Sequence, residues 1–504
     1  MIKRRLSISG EDNSILDFNP YCCCSCFSVH ALTTKTLTLL FLIPLPRDLI
    51  MIDEILKVLE KYSSSSEIKF MDIRMESIEY TELTIENGKV ENLENNGERG
   101  VGVRVLINGW GFASTNDLTK IEEIVKTAIK MAKVSRISTS VYTRDPIEDN
   151  VEVKQGIKLK DIDLEEKVKL GVEVNNMLKR ENIKTRKFSY SDIIVKKLYL
   201  SSEGSIIEST VPRVYLSISS VAKFSGKMQT YWKSFGGTGG WEIVEKIDFE
   251  HWANFVSKKA VSLLSARSPP SGEMQVIMDP ELAGVFIHEA LGHASEADAV
   301  KQEESILAGM LGKRIAVEEL TVVDDPTLPG KFGSYIYDDE GIPGKRVEII
   351  RDGVLVNYLN DRETSSLLNL EPNGHGRAQS YSHVPLVRMS NTYIEPGDWR
   401  FEEILDEVKF GVYMIGDKGG QVDVASGNFM FAAKEGYLVE NGEIKGHLRD
   451  VALSGNILSA LREIKAIGND LKIEFPGFCG KGQWVPVDDG GPHVLTKAIV
   501  GGLE

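Results

Sequence analysis

Residues 70–115 constrain the fold most, because apolar and polar side chains alternate there between Asn-Gly pairs at 87–88, 96–97 and 108–109. Such alternation is the period of a half-buried strand, and Asn-Gly is the pair that two-residue hairpin turns favour. The segment therefore predicts an antiparallel meander of strands.

After the meander, the spacing of apolar residues is helical in some segments and strand-like in others. Helical spacing of apolar residues predicts helices at about 117–133, 163–182 and 249–265, and a strand-rich region lies at 187–224. Because the predicted strands and helices do not alternate one by one, their order predicts an α+β fold.

The glycine cluster at 235–240 has no following Lys-Ser/Thr and is predicted to be a flexible loop rather than a nucleotide site.

The sequence Ser-Pro-Pro-Ser-Gly at 268–272 is the best candidate for a domain boundary, because proline and glycine end regular structure. Beyond it the chain becomes richer in glycine and short strands. We therefore predict two domains: an N-terminal helix and antiparallel-sheet domain over 51–270, and a strand-rich catalytic metal-binding domain over 271–504.

Residues 1–50 differ from the rest, since neither a helical nor a strand period runs through them. From Met51 the chain becomes amphipathic at once, with Ile52, Ile55, Leu56 and Leu59 on one helical face. We interpret 1–50 as a non-native or disordered N-terminal extension. The alternatives are acylation of its cysteine cluster or a zinc-binding tract, although Cys-Cys-Cys-Ser-Cys lacks the spacers that chelation favours.

Composition argues against several classes of protein. The chain carries 74 acidic and 59 basic residues, a net charge of −15, so general binding to nucleic acid or an anionic membrane is not expected. The longest apolar run, at 37–45, is far shorter than the roughly 18 residues of a spanning helix. Cys479 is the only thiol after Met51, which excludes a disulfide framework and favours a reducing compartment.

The segment 273–298 carries the most informative motif. Residues 274–278 predict a strand, and Asp279-Pro280 predicts the N-cap and first turn of a helix. His288, Glu289 and His293 follow on that helix. Two imidazoles and an adjacent carboxylate are what a hydrolytic zinc site needs, because neutral nitrogens bind the metal and the carboxylate takes a proton from its water.

The spacing of the two histidines raises a geometric problem. Residues i and i+5 of an ideal helix lie about 140° apart, so His288 and His293 do not share a face of a regular helix. Gly292 is the natural place for a wider, π-type turn, which is often found at functional sites. The alternative interpretation is that the two residues are helix-capping or core histidines.

Four blocks of sequence carry a resemblance to a known family. They are HEALGHASEAD (288–298), YDDEG (337–341), the segment from 373–377 through 388–393 to 396–398, and FCGKGQWVPV (478–487). In this order they resemble the TldD/PmbA family of metallopeptidases, specifically the TldD-type subunit that keeps the HExxxH motif. The resemblance extends from Met51 to the end of the chain.

The resemblance implies a cytoplasmic peptidase that uses zinc (Zn²⁺). Its metal would be held by His288, His293 and the distant Cys479, with Glu289 as the catalytic base. It also implies peptide substrates, short or unfolded, held in extended form in an enclosed chamber. The implied partner is a metal-free TldE/PmbA-type paralogue in a heterodimer, or a second copy in a homodimer.

The residues themselves leave the third ligand open. Glu296 is local, three residues after His293, whereas Cys479 lies 186 residues further along. We favour Cys479, because the glycines of Pro-Gly-Phe-Cys-Gly at 476–480 predict a turn that can approach an ion closely.

Further polar residues are candidates for orienting the imidazoles or contacting substrate. Glu296 and Asp298 stand just after the motif, and a later glycine-bearing block supplies His375, Tyr381, His383 and Arg388. A different class of function is a non-catalytic interaction subunit stabilised by its metal. Structural zinc sites fill all four positions with protein ligands, whereas two His and one Cys leave a position open, which favours catalysis.

Overall fold

The computed structural model describes residues 47–502, and it combines long antiparallel strands with helices packed on them, which confirms the α+β prediction. The predicted extension over residues 1–50 lies outside the described residues except for 47–50, which form the first turn of a helix. Within residues 47–502, no helix is long and apolar enough to cross a membrane.

The N-terminal half is built on one seven-stranded sheet. Its helices are α1 (Arg47–Ser63), α2 (Ile121–Val134), α3 (Leu164–Met177), α4 (Glu242–Glu245) and α5 (Phe249–Leu263). Its strands are β1 (Phe70–Glu86), β2 (Lys89–Leu106), β3 (Trp110–Thr115), β4 (Glu148–Glu152), β5 (Ile183–Ser201), β6 (Ile206–Phe224) and β7 (Lys227–Thr238). The strand order is β3-β2-β1-β5-β6-β4, and β7 also pairs with β6.

The predicted meander is present, but one of its turns is wrong. Turns lie at Asn87-Gly88 and at 107–109, whereas Asn96 and Gly97 sit inside β2, opposite Tyr80 and Glu79 of β1. Pairing along the whole of β1 overrides the local turn preference of Asn-Gly.

The predicted loop at 235–240 is also partly wrong, since β7 continues to Thr238.

The C-terminal half holds two larger sheets and one pair of short strands. Its helices are α6 (Pro280–Ile287), α7 (Ala297–Lys301), α8 (Arg362–Leu368), α9 (Phe401–Asp406) and α10 (Ile457–Arg462). Its strands are β8 (Gly272–Met278), β9 (Val322–Asp324), β10 (Val347–Arg351), β11 (Val354–Leu355), β12 (Gly376–Arg377), β13 (Leu386–Val387), β14 (Asn391–Ile394), β15 (Phe410–Asp423), β16 (Asn428–Glu440), β17 (Glu443–Leu448), β18 (Val451–Asn456), β19 (Ala466–Ile467), β20 (Lys472–Gly480), β21 (Trp484–Gly491) and β22 (Val494–Gly502).

Helix α6 lies between the two larger sheets. One has the order β11-β10-β9-β14-β21-β20, so that β11 and β20 are its two edge strands. The other runs β15-β8-β22-β18-β16-β17, and additional pairing of β15 with β16 closes five of its strands into a ring. Helix α6 leaves β8 and packs against β14, β20 and β21, and its apolar residues join the largest core cluster.

The two halves meet through buried charges. Arg104 of β2 contacts both Asp72 of β1 and Glu340, with its Nη1 2.7 Å from Glu340 Oε1. Lys197 of β5 pairs with Asp339. The YDDEG segment therefore binds the N-terminal sheet, and these buried pairs fix the position of one half on the other.

Candidate metal centre

Helix α6 begins as its sequence predicts and then widens. The Asp279 side chain accepts a hydrogen bond from the Leu282 backbone at 2.9 Å, and Pro280 occupies the first turn. After α6, residues 288–292 form a π turn in which the His293 backbone N–H donates to the His288 carbonyl. This bond between residues five apart places His293 above His288, so the predicted π-type turn is confirmed.

Gly292 allows this turn to pack against its neighbours. A Cβ at Gly292 would lie 1.9 Å from Sδ of Met389, and Met389 is fully buried. A larger residue there would therefore require the helix or the Met389 side chain to move.

His288, His293 and Cys479 form a group of three possible metal ligands. One ligand atom from each lies within 4.8 Å of the others, and Cys479 Sγ is 3.3 Å from His293 Nε2. The two imidazole rings stand nearly perpendicular with centroids 5.4 Å apart. The structure thus joins the two histidines of the π turn to a thiol 186 residues away.

Glu289 stands beside this group. Its Oε2 lies 3.9 Å from His293 Nε2, and its side chain is 21% exposed, against 3% for His288 and 12% for His293. The carboxylate is therefore close to the three donors and more accessible than either imidazole. This is the position that a base needs if it is to act on a molecule bound there.

Each imidazole also faces a carboxylate with its other nitrogen. His288 Nδ1 lies 2.7 Å from Asp489 Oδ1, and His293 Nδ1 lies 3.1 Å from Glu296 Oε2. Lys481 then contacts Glu296 at 3.0 Å and Asp298 at 2.6 Å. Asp298 therefore reaches the site only through Lys481.

Charges within the group reinforce one another. Burial alone raises the pKa of the Cys479 thiol, but His293 and His288 lower it more, so its pKa lies well below the usual range. Burial lowers the pKa values of both histidines, but Asp489 and Cys479 beside His288, and Cys479 and Glu296 beside His293, raise them well above the usual range. The thiolate is thus favoured, and it is the form that binds metal.

The donor set fits zinc. Two imidazole nitrogens and a thiolate suit a borderline-soft cation, and ligands of tetrahedral zinc lie roughly 3.3–3.8 Å apart. The 3.3 Å between Cys479 Sγ and His293 Nε2 has this scale. With each Nδ1 facing a carboxylate, both histidines have Nε2 left for a metal.

Cys479 lies on a strand, so the predicted turn around it is wrong. It belongs to β20 and pairs with Val485 of β21. The hairpin between these strands is held by Arg388, a fully buried residue that donates to the carbonyls of Cys479 and Gln483. Arg388 therefore supports the backbone at the thiol rather than facing the donors.

The other three candidates make their contacts elsewhere. Both ring nitrogens of His375 lie 2.9 Å from acceptors, one on Asp324 and one on Asn373. Tyr381 donates its backbone N–H to Glu76 and fills the space beside Gly100 and Gly102 of β2. In the same loop the carbonyl of His383 accepts from Arg74. Tyr381 and His383 thus anchor their loop to the N-terminal sheet.

Sequence reasoning missed Asp489 and Lys481. Both belong to the hairpin segment that carries Cys479, and the pair Asp488-Asp489 before two glycines was the available signal. Nothing local distinguishes the two aspartates, because only the packing of α6 on β21 shows which of them meets His288.

Three family domains match consecutive parts of the chain. They are the PmbA/TldA metallopeptidase domain 1 over 71–132, central domain over 157–264 and C-terminal domain over 271–502. A metalloprotease of Methanothermobacter thermautotrophicus is 42% identical over 438 residues, covering 86% of this chain and 96% of its own. The chain belongs to the PmbA/TldD metallopeptidase family.

Other members of the PmbA/TldD family extend the comparison. A zinc metalloprotease TldD homolog of Saccharolobus solfataricus is 35% identical over 441 residues, covering 86% of this chain and 96% of its own. The crystal structure of TldE from Thermococcus kodakarensis shares the fold with a TM-score of 0.72 and 20% identity, covering 90% of this chain and all of that one. The family divides the N-terminal half into two domains, although one sheet runs through both.

Proposed function

We propose that this protein is a zinc-dependent, TldD-type peptidase that hydrolyses short or unfolded peptides, with Glu289 as the base. The observation that carries the proposal is the grouping of His288, His293 and Cys479 within 4.8 Å, with the Glu289 carboxylate 3.9 Å from His293 Nε2. Three protein donors leave a fourth position of a tetrahedral ion open, as a catalytic centre requires.

The residues divide the chemistry between them. Zinc held by the three donors would polarise a peptide carbonyl and acidify water. Glu289 would accept the proton of the attacking water and later deliver it to the leaving amine, so no covalent bond to the enzyme is needed. Glu296 would hold the His293 ring through Nδ1, and Lys481 would hold Glu296 in turn.

The proposed substrates follow from the place of Cys479 in its sheet. It lies on β20, one of the two edge strands of its sheet within residues 47–502. Gly477 lies two residues away on the same face of the strand, and the position of its missing Cβ opens into free space. An extended peptide added along this edge would be recognised mainly through its backbone, which favours broad sequence selectivity.

The decisive test is Glu289→Gln, assayed on an unstructured peptide with zinc content measured for each sample. We expect about one zinc per chain, an unchanged melting temperature and loss of most activity, because only the proton acceptor is removed. Glu289 variants that remain fully active at matched zinc content would refute the mechanism.

Chelation separates a catalytic metal from a structural one. If the proposal holds, removing zinc abolishes peptide hydrolysis while the far-UV circular dichroism spectrum stays native, and added zinc restores activity. If removing zinc unfolds the chain and the reloaded protein cleaves no peptide, the protein is a metal-stabilised interaction subunit instead.

We also propose that the protein works in the cytoplasm, because a thiolate ligand survives best in a reducing compartment. Its proposed partner is a TldE/PmbA-type paralogue without the metal motif, and the alternative is a second copy of this chain. Purification from the native cell followed by mass spectrometry distinguishes the two, since a heterodimer yields a second polypeptide at equal amount.

A further inference from the structure

Asp489 is a buried carboxylate that the proposed mechanism does not use. Asp489 is 7% exposed and His288 is 3% exposed. The Oδ1 atom of Asp489 lies 2.7 Å from Nδ1 of His288. Among residues 47–502 neither of these two atoms forms a hydrogen bond, so the 2.7 Å contact between them is an ion-pair contact. A buried polar atom without a hydrogen bond needs an explanation, and here each of the two atoms has the other within 2.7 Å.

Asp489 and His288 are close together because glycines allow helix α6 and strand β21 to pack backbone against backbone. A Cβ at Gly284 of α6 would lie 2.6 Å from the backbone N of Gly490 and 3.1 Å from the carbonyl carbon of Asp489. Helix α6 therefore rests directly on β21, one turn before His288. Strand β21 is itself fixed between β14 and β20, so Asp489 is presented from a rigid element.

The contact with Asp489 determines which ring nitrogen of His288 carries the proton. A neutral imidazole carries its single proton on one nitrogen and binds a metal through the other. A carboxylate at Nδ1 accepts that proton and leaves Nε2 free, which is how acceptors behind metal-binding histidines orient the ring. Without an acceptor at Nδ1, the proton can move to Nε2 and block the ligand atom.

The two histidines are supported differently. Glu296, behind His293, also pairs with Lys481 at 3.0 Å. Asp489 makes its ion pair with His288, and within residues 47–502 no lysine or arginine lies within ion-pair distance of it. His288 is therefore the one basic side chain with which Asp489 pairs among these residues.

We propose that Asp489 is a positioning residue that holds His288 with the proton on Nδ1 and with Nε2 directed at the metal. The proposal rests on the metal centre of the proposed function. It adds that the hairpin of β20 and β21 supplies both a ligand, Cys479, and the group that orients another ligand.

The test is the zinc affinity of Asp489→Asn, measured by competition with a chromophoric chelator. Asparagine keeps the size of the side chain, but its amide can donate to Nδ1 and so stabilise the tautomer with a blocked Nε2. We expect zinc to bind about 10- to 100-fold more weakly. Affinity equal to the parent's would overturn the proposal.

Asp488→Asn is the matched control. Asp488 is the neighbouring buried carboxylate, and it accepts from the backbone N–H groups of Phe332 and Phe475 rather than from a histidine. Its loss should lower the melting temperature of the zinc-free protein and leave zinc affinity unchanged. If Asp488→Asn weakens zinc as much as Asp489→Asn does, the effect belongs to the fold of the hairpin and the proposal fails.

A spectroscopic measurement reports the tautomer directly. The chain has eight histidines, so long-range ¹H–¹⁵N NMR of histidine-labelled protein can resolve them, with His288→Ala to assign the signal. We expect Nδ1 of His288 to carry the proton in the zinc-loaded parent, and its absence there would refute the proposal. A parent that binds zinc in this way but cleaves no peptide would refute the proposed function and leave the role of Asp489 intact.

Discussion

Gly284→Ala tests whether the seating of α6 on β21 builds the metal centre. The new Cβ would lie 2.6 Å from the Gly490 backbone N and 3.0 Å from its Cα. Both are backbone atoms, so no side chain can rotate away. To reach an ordinary contact the helix must retreat by about 0.8 Å, which lengthens the 2.7 Å contact between His288 and Asp489.

Three effects can be weighed against one another. Overpacking costs about 1–3 kcal/mol, while alanine is favoured over glycine inside a helix by roughly 1 kcal/mol. The net loss of stability should therefore be small. A displacement of almost 1 Å can cost about 100-fold in rate, so function should fall much further than stability.

The assays are chelator competition for zinc affinity, peptide hydrolysis for kcat/KM and calorimetry for Tm. Gly171→Ala is the control, because Gly171 of α3 also packs closely, at 3.0 Å from side-chain atoms of Ile85 and Phe188. It should change Tm without changing zinc affinity. Gly284→Ala protein with the zinc affinity and kcat/KM of the parent would refute the argument that this contact sets the site.

Further predictions concern the ligands, the substrates and the response to pH. Cys479→Ser should weaken zinc binding severely and abolish activity, whereas Glu296→Gln should cost no more than about 10- to 100-fold; X-ray absorption without sulfur near 2.3 Å would favour Glu296 instead. Unstructured peptides should be cleaved and tightly folded proteins should not, as gel assays under native conditions can show. Burial raises the pKa of Glu281, but Lys434 and Lys233 lower it more, to about 2, against an ordinary value of 4.5. Its ionised form therefore stabilises the fold above pH 4.5, and that contribution is lost as pH falls toward 2. Glu281→Gln should thus lower the urea midpoint at pH 6 more than at pH 3, and an equal loss at both would contradict this assignment.

Local signals were reliable where a few neighbouring residues decide the backbone. The helix start at Asp279-Pro280 depends on a side chain that bonds a backbone N–H three residues on. The five-residue spacing of His288 and His293 indicated a wide turn, and Gly292 lies at its end. These features involve contacts within one or two turns of chain, so the sequence carries them directly.

Some of the same residue types misled when distant strands competed with local preference. The pair Asn96-Gly97 favours a turn, but continuous pairing with β1 keeps it extended. Gly100 and Gly102 lie in the same strand, and their missing side chains make room for Tyr381, far along the chain. In both places the energy of long-range pairing or packing exceeds the local preference.

The sequence by itself determined the α+β class, the helix with its wide turn and the chemical types of the candidate metal donors. Only the tertiary structure decided that Cys479 joins the histidines from a strand, and that Asp489 rather than Asp488 faces His288. The reason is physical. Periodicity and capping report interactions between residues a few positions apart, whereas the 3.3 Å between Cys479 Sγ and His293 Nε2 follows from how α6 packs on β20 and β21.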